Sequence, residues 1–416
     1  MTGASSGRTP GFVLVLIGTG IVGAAGYVIT WLVPRVIGVS SYASFAVFWA
    51  GLFLVVAALS GIQQETTRSV HTEPPRGRVP ARASVFAAGA GLLVLVGVPL
   101  TAPLWVGPVF GGDWGLVWPL AVGSAAYVPL AVITGTLYSR KAWKSIFVVM
   151  LTEGLLRLIL IAAVVLVTSS ITPLAWATAV PTVIAAIVGL IAVTRPGAVS
   201  SYLDVGYRRL SWNAARTIVA AASMGMLVSG FPTLLSATSH GVSSQELGLV
   251  ILAATLVRAP LIVVAMAAQS YLIVLFRGSR ERMFRLVYML EGAAIAGGVV
   301  LGAVAWWIGP PVFSFLFPGT AAPPAWLLGA FVGTAGILAG MGISAPAVLV
   351  LGKHSIFTAG WVVAAAGTTV ALLLPLPLEP RAALALLIGP LAGLLVHLGY
   401  LASAARRLEP VETAVQ

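Results

Sequence analysis

Two charged side chains, Glu153 and Arg157, interrupt the apolar run KAWKSIFVVMLTEGLLRLIL that spans residues 141–160. The run opens on a basic cluster, Arg140, Lys141 and Lys144. At ~1.5 Å per residue Glu153 lies ~13 Å beyond Lys144, and Arg157 ~6 Å further. With Lys144 at a membrane surface, Glu153 sits near the middle of a hydrocarbon layer ~30 Å thick. A charge at that depth costs a few kcal/mol even on lenient insertion scales, so it should face protein or a water-filled cavity. The i, i+4 spacing puts both side chains on one helix face, with Glu N-terminal to the base, the better orientation. Two readings stand side by side: a polar spot on a transport path, or an ion pair that only fastens helices together.

Other candidates are scattered. Arg258 lies in the middle of an apolar run, two residues before Pro260 and without an in-helix partner. An intramembrane Arg is a functional candidate by default; the structural alternative is bonding to carbonyls freed by the Pro. Arg35 sits at the end of the first apolar run, as a cavity residue or an interfacial anchor. Gln63, Gln64, Glu65 and Arg68 end the second run, where they line an inner mouth or form an ordinary solvated helix end. Glu291 is ~9 Å into its run from Arg285, a candidate cation or proton site or a structural partner. The four histidines form no ligand cluster and cysteine is absent, which excludes thiolate metal sites, disulfides and Cys nucleophiles. No carboxylate pair, metal cluster or P-loop is visible, so no cofactor is expected and the chain does not read as an enzyme.

The elements that position these residues are membrane helices. The chain has 416 residues, is 59% hydrophobic and only 8% charged, with a mean hydropathy of +1.04. A soluble globular protein of this length does not have that balance. Runs of ~20 apolar residues predict twelve spans, near 11–33, 42–62, 83–104, 115–137, 145–168, 172–193, 212–235, 246–273, 286–308, 325–349, 355–375 and 382–403. The first run is longer than a signal-peptide core and lacks a clear cleavage site, so it reads as a span. The net charge of +12 does not imply nucleic acid, because the cations fall in short loops on one side. That side receives nineteen Lys and Arg, the other only Arg35 and Arg381. The asymmetry predicts cytoplasmic termini, and an even number of spans requires the same. Trp105, Trp114, Trp118, Trp306, Trp307 and Trp326 cluster near the outer ends as an aromatic belt. The Arg-over-Lys and Ala/Gly/Val bias hints at a GC-rich bacterium, hence a bacterial cytoplasmic membrane.

The chain also repeats itself. Gly38-Val39-Ser40-Ser41 matches Gly241-Val242-Ser243-Ser244, Phe110-Gly111-Gly112 matches Phe317-Pro318-Gly319, and Lys144-Ser145-Ile146-Phe147 matches His354-Ser355-Ile356-Phe357. The three offsets are 203, 207 and 210. A six-helix offset preserves orientation, so the halves are parallel repeats. The expected fold class is therefore an all-α polytopic membrane protein of about twelve helices in two six-helix bundles around a central cleft. Its lobes are 1–193 and 212–416, joined by a basic, interfacial linker at 194–211. The many glycines read as close-packing positions rather than hinges.

Several stretches resemble the polysaccharide flippases of the multidrug/oligosaccharidyl-lipid/polysaccharide (MOP) exporter superfamily. They are the Gly-rich first helix from Gly18 to Gly26, Pro34, the pair Tyr42 and Phe45, and Arg68 after the second helix. GTLYSRKAWKSIFVVMLTEGLLRLILIAAVV and LFPGTAAPPAWLLGAFVGTAGILAGMG are similar to the family's fourth-to-fifth and ninth-to-tenth helix passages. The resemblance implies a two-lobed, alternating-access transporter of a lipid-linked oligosaccharide or polysaccharide precursor. Its partners would be that glycan, membrane lipids and glycan-assembly enzymes, and the chain would act as a monomer. Arg258, Glu153, Arg157, Arg35, Arg68 and Gln64 would then meet the cargo, with cations opposite its phosphate. Glu291 or Glu153 would couple transport to a cation or proton.

Two rivals remain. A multidrug–cation antiporter of the same superfamily generally carries an acidic site on helix one or seven, and here those helices have no Asp or Glu. A membrane-embedded polymerase or glycosyltransferase usually needs a large outer loop with acidic or His residues. The outer loops here are short, and besides two Arg hold only Asp113, His240, Glu246 and Glu379.

Overall fold

The structure, a computed structural model, describes residues 10–71, 82–194, 202–203, 206–276 and 280–406. Arg8, Arg76, Arg78, Arg195, Arg277 and Arg407, counted above in the basic loops, lie outside the described residues, as does most of the expected linker. The described part is twelve α-helices. They are α1 (Pro10–Ser69), α2 (Ala83–Phe110), α3 (Val117–Ser139), α4 (Trp143–Val167), α5 (Ile171–Thr194), α6 (Tyr207–Val228), α7 (Phe231–Ala237), α8 (Ser244–Phe276), α9 (Arg280–Leu316), α10 (Ala325–Val350), α11 (His354–Leu372) and α12 (Leu378–Arg406). The only strands among the described residues are β1 (Val70–His71) and β2 (Tyr202–Leu203), paired antiparallel. The one described stretch of the linker before α6 is thus extended.

α1 carries the first two spans, broken at Gly38, whose φ of 78° lies in the left-handed region open to glycine. The seventh span departs from the sequence expectation of one helix over 212–235. α6 and α7 meet at a bend of 80°, because Pro232 lacks the N–H of a helix interior and its ring clashes with the carbonyl four residues earlier, that of Val228. Nine described helices are long and apolar enough to cross a membrane, or ten with this bent pair taken as one. The broken α1 supplies two spans and the 33-residue α8 supplies one more, which brings the total to the expected twelve. Large apolar side chains face outward where lipid would lie: Leu104 is 81% exposed, Trp307 83% and Phe315 81%. In lipid such exposure costs nothing, whereas every backbone group must bond internally, which helices achieve. The protein is a multi-pass membrane protein.

The chain forms two compact units, residues 1–225 and 226–416. In the N-terminal unit α3 is central, packed against α1, α2 and α5, with α4 against α1 and α5. α6 joins this unit by close approach to α1. A Cβ at Gly61 would reach 2.8 Å from the Ile218 nitrogen. In the C-terminal unit α10 is central, against α8, α9 and α12, and α11 pairs with α12. The α9–α10 contact is backbone on backbone. A Cβ added at Gly298 or Gly302 would lie 2.9 Å from the carbonyl oxygens of Gly333 and Gly329 respectively. These glycines are close-packing positions of the small-xxx-small kind.

The internal repeat is visible in backbone detail. Gly38 and Gly241 both take positive φ, at 78° and 80°. Asp113 N–H bonds Phe110 O, and Thr320 N–H bonds Phe317 O, at the expected offset of 207. The third pair slips by one residue. Arg140, Lys141 and Ala142 donate to Thr136, Tyr138 and Leu137; Leu351, Gly352 and Lys353 donate to Ala347, Leu349 and Val348. That identical turn has an offset of 211, so Lys141 (φ 53°) corresponds to Gly352 (φ 74°), and Ser145 to Ile356 rather than to Ser355.

Candidate functional site

The structure gathers the polar residues of the membrane interior into separate constellations. The first lies in the N-terminal unit, where α4 crosses α5. Arg157 Nη2 donates to Glu153 Oε1 at 2.7 Å and to Thr182 Oγ1 at 3.2 Å, and its Nε donates to the Thr178 carbonyl at 3.1 Å. Thr182 Oγ1 in turn donates to the same Glu153 oxygen at 3.1 Å. The guanidinium lies 5.1 Å from the Phe53 ring centroid on α1. The Arg157 side chain is 6% exposed and that of Glu153 22%. Sequence spacing found the pair; Thr178 and Thr182, on another helix, carried no signal of their own.

The second constellation is at the end of α1. Glu65 is buried, accepts from Arg68 Nη2 at 2.6 Å, from Asn213 Nδ2 at 2.8 Å and from Ser69 Oγ at 3.3 Å. Arg68 reaches it from an exposed position. Gln64 is exposed, whereas the neighbouring Gln63 accepts from Thr134 on α3 at 3.2 Å. Glu65 thus ties α1 to α6. Its charge and its place at a span end suggested a solvated residue. Arg35 is exposed beside Gly38, its guanidinium 4.8 Å from the Trp31 ring.

The third constellation crosses the C-terminal unit. Glu291 on α9 is buried, and a Cβ at Gly340 on α10 would collide with its Oε2. The missing side chain at Gly340 is what admits the carboxyl. Ser344, one turn on, presents its hydroxyl and backbone amide toward Glu291, without either carboxyl oxygen completing a hydrogen bond of good geometry among the described residues. Ser344 Oγ lies 3.1 Å from His397 Nδ1, and His397 Nε2 lies 3.3 Å from the Phe357 carbonyl. The α11–α12 packing opens for this ring too, since a Cβ at Gly360 would strike it. A carbonyl only accepts, so Nε2 carries a proton. In the neutral ring Nδ1 is then an acceptor toward Ser344 Oγ, whose hydroxyl also lies 3.2 Å from the Gly340 carbonyl.

Arg258 stands apart. It is 4% exposed on α8, 6.0 Å from the ring of Phe231, the first residue after the α6–α7 break. Its Nε and Nη2 find no hydrogen-bond partner among the described residues. Both residues are buried; Nε and Nη2 of Arg157 are bonded, whereas among the described residues the same two nitrogens of Arg258 are not. No group of three or more His, Cys, Asp or Glu placed to hold a metal occurs among the described residues.

Spans gathered in two units with matching turns, and buried charges inside each unit, define a polytopic helical membrane fold. Solved structures carry the same fold at low identity. The lipid II flippase MurJ in an inward closed conformation aligns with TM-score 0.71 and 12% identity, covering 94% of this chain and 87% of that one. An inward-facing multidrug resistance MATE family transporter of the MOP superfamily aligns with TM-score 0.64 and 14% identity, over 96% and 100%. The fold is therefore that of the MOP superfamily. No family model matches the chain. By sequence, the chain belongs to the same family as the uncharacterized protein Rv3630 of Mycobacterium tuberculosis, 32% identical over 96% of this chain and 94% of that protein. The uncharacterized protein Rv1510 of the same organism is also 32% identical, over 92% and 90%.

Proposed function

We propose that this protein is a flippase that moves a lipid-linked oligosaccharide or polysaccharide precursor across the bacterial cytoplasmic membrane by alternating access, with both termini cytoplasmic. The observation that carries the reading is Arg258. It is a buried guanidinium beside a broken helix, with donors that no described group uses. Broken spans in transporters mark binding sites. The planar two-pronged donor suits a phosphate, which a lipid-linked glycan carries at the junction of lipid and sugar. The fold shared with a lipid II flippase supports the same class of cargo. Arg258 is enclosed in the present conformation and meets the cargo in another. Glu153 and Arg157 provide a second polar station, and Arg35, Arg68 and Gln64 lie nearer the two surfaces.

Glu291 suits the coupling step. A small approach of the carboxyl to Ser344 Oγ would let it donate there with its own proton, and Ser344 Oγ, 3.1 Å from His397 Nδ1, would donate on to the ring. Shifting one proton along this path leaves a carboxylate accepting from Ser344, which accepts from an imidazolium. Once that approach is made, both arrangements pair Glu291, Ser344 and His397, so a proton can be held at either end.

The test is transport of a fluorescent lipid-linked oligosaccharide in proteoliposomes. Arg258→Ala should lose at least tenfold in initial rate with normal insertion, and Arg258→Lys should recover part, as a point charge without the fork. Normal transport by Arg258→Ala overturns the reading. A MATE-like drug exporter is the alternative outcome, recognised by proton-driven efflux of cationic dyes that the glycan does not inhibit.

A further inference from the structure

A second site lies in the N-terminal unit, lined by none of these residues. α2 and α5 both pack on α3 and leave an open groove of about 910 Å³ between them. That volume falls within the ~300–1,000 Å³ of ligand sites. Small side chains set its depth, Gly91 on α2 and Ala125, Ala126 and Pro129 on α3. Leu92 and Ile187 form exposed rims, at 61% and 53%. One end is cationic. Arg82 precedes α2 and is exposed, and Arg140 follows α3, donating to the Val193 carbonyl at the end of α5, 3.4 Å away. Ser84, Thr136 and Thr194 lie at the same end.

The groove's length identifies its occupant. From Ala83 to Leu95 α2 rises ~18 Å, and from Ala125 to Thr136 α3 rises ~17 Å. Half of a hydrocarbon layer is ~15 Å. The groove therefore serves one leaflet, and its charged end is the end to which the sequence assigns nearly all cations. A partner transmembrane helix would need a groove about twice as long. An anionic headgroup against Arg82 and Arg140, with acyl chain along Gly91 and Ala126, matches both chemistry and length. Basic pockets between helices on the cytoplasmic side recognise anionic headgroups in this way. We propose that this groove is a binding site for an anionic phospholipid of the cytoplasmic leaflet. The site is independent of the transport reading.

Native mass spectrometry of the purified full chain tests it, with phosphatidylglycerol and phosphatidylcholine of identical acyl chains as probes. Wild type should retain phosphatidylglycerol about tenfold better. Arg82→Ala, at an exposed position, should lower that preference roughly fivefold, and Arg82→Lys should keep it. Ala126→Phe, which fills the floor, should reduce phosphatidylglycerol retention without altering Arg82. Dihexanoyl-phosphatidylglycerol, with the headgroup but little chain, should bind at least tenfold more weakly. Equal retention of the two lipids overturns the proposal, as does a preference that survives both Arg82→Ala and Ala126→Phe. A lipid-independent dimer cross-linked through Ala126→Cys would also overturn it.

Discussion

Exchanging the charges of the α4 pair, Glu153→Arg with Arg157→Glu, asks whether opposite charge is all the pair supplies. An interaction of charges alone would survive the exchange. The geometry predicts that it fails. Arg157 Nε donates to the Thr178 carbonyl and Nη2 to Thr182, and a carboxylate at 157 sets an acceptor against that carbonyl in a nearly sealed site. Losing a hydrogen bond made by a charged group costs ~1.5–3 kcal/mol, and leaving buried groups unmatched ~1–3 kcal/mol more. The cation–π contact with Phe53 is lost as well, at ~0.5–1 kcal/mol. The restored ion pair drops out of the difference, so the swap should destabilise by at least ~3 kcal/mol. Glu153→Gln keeps an acceptor for Arg157 and Thr182 but removes the counter-charge. Breaking a buried pair costs ~3–5 kcal/mol, and the retained bond and partial exposure of Glu153 bring the expectation to ~2 kcal/mol. Thr182→Val should cost about 1 kcal/mol. Reversible unfolding in mixed micelles, followed by Trp fluorescence, ranks the three. A swap within about 0.5 kcal/mol of wild type, with a dead Thr182→Val effect, would refute the network. The failed swap by itself does not establish a transport role, because the carbonyl partner makes it fail on structural grounds alone.

The other predictions concern the C-terminal unit. Glu291→Gln and His397→Ala should each uncouple transport from an imposed proton gradient while leaving downhill exchange measurable in proteoliposomes. A gradient response unchanged in both variants would remove the Ser344 path from the mechanism. Gly298→Leu should destabilise by ~3 kcal/mol or more, since its Cβ meets Gly333 and Gly336 backbone that cannot step aside. Gly297→Ala, with nothing within 4 Å of its Cβ, is the control and should unfold like wild type.

The spans were legible because membrane insertion writes a single strong signal, a long apolar run, and Gly38, Gly241, Gly112 and Gly319 marked the turns. What the sequence hid depends on partners far apart in the chain. Glu65 looks solvated until Asn213, 148 residues away, is brought to it. His397 looks isolated until Ser344 and Phe357 close around it. The break before Phe231 was written in Gly230 and Pro232, but an unbroken apolar run masked it. The one-residue slip at Lys141 arose because Ser-Ile-Phe recurs at 210, whereas the hydrogen-bonded turn before it recurs at 211. Backbone geometry, rather than side-chain identity, sets the correspondence there.

The two buried arginines then separate stability from function. A structural arginine contributes through its bonds, and Arg157 has three donors' worth of them. Arg258 has Nε and Nη2 unmatched among the described residues, each a liability of ~1–3 kcal/mol. Replacing even a buried ion pair with apolar side chains of similar volume is often neutral or stabilising by ~1–4 kcal/mol, and a buried cation with unmatched donors has fewer bonds to lose. Arg258→Met should therefore unfold at the same or higher denaturant concentration than wild type, while transport of the lipid-linked oligosaccharide falls at least tenfold. Arg157→Met should behave in the opposite sense, losing ~3 kcal/mol or more by abandoning Glu153 and Thr178. Both variants are measured on one preparation, by unfolding and by initial rate. Destabilisation by Arg258→Met of 2 kcal/mol or more would mean that the guanidinium is bonded and holds the helices together. The case for Arg258 as the phosphate-binding cation would then fall.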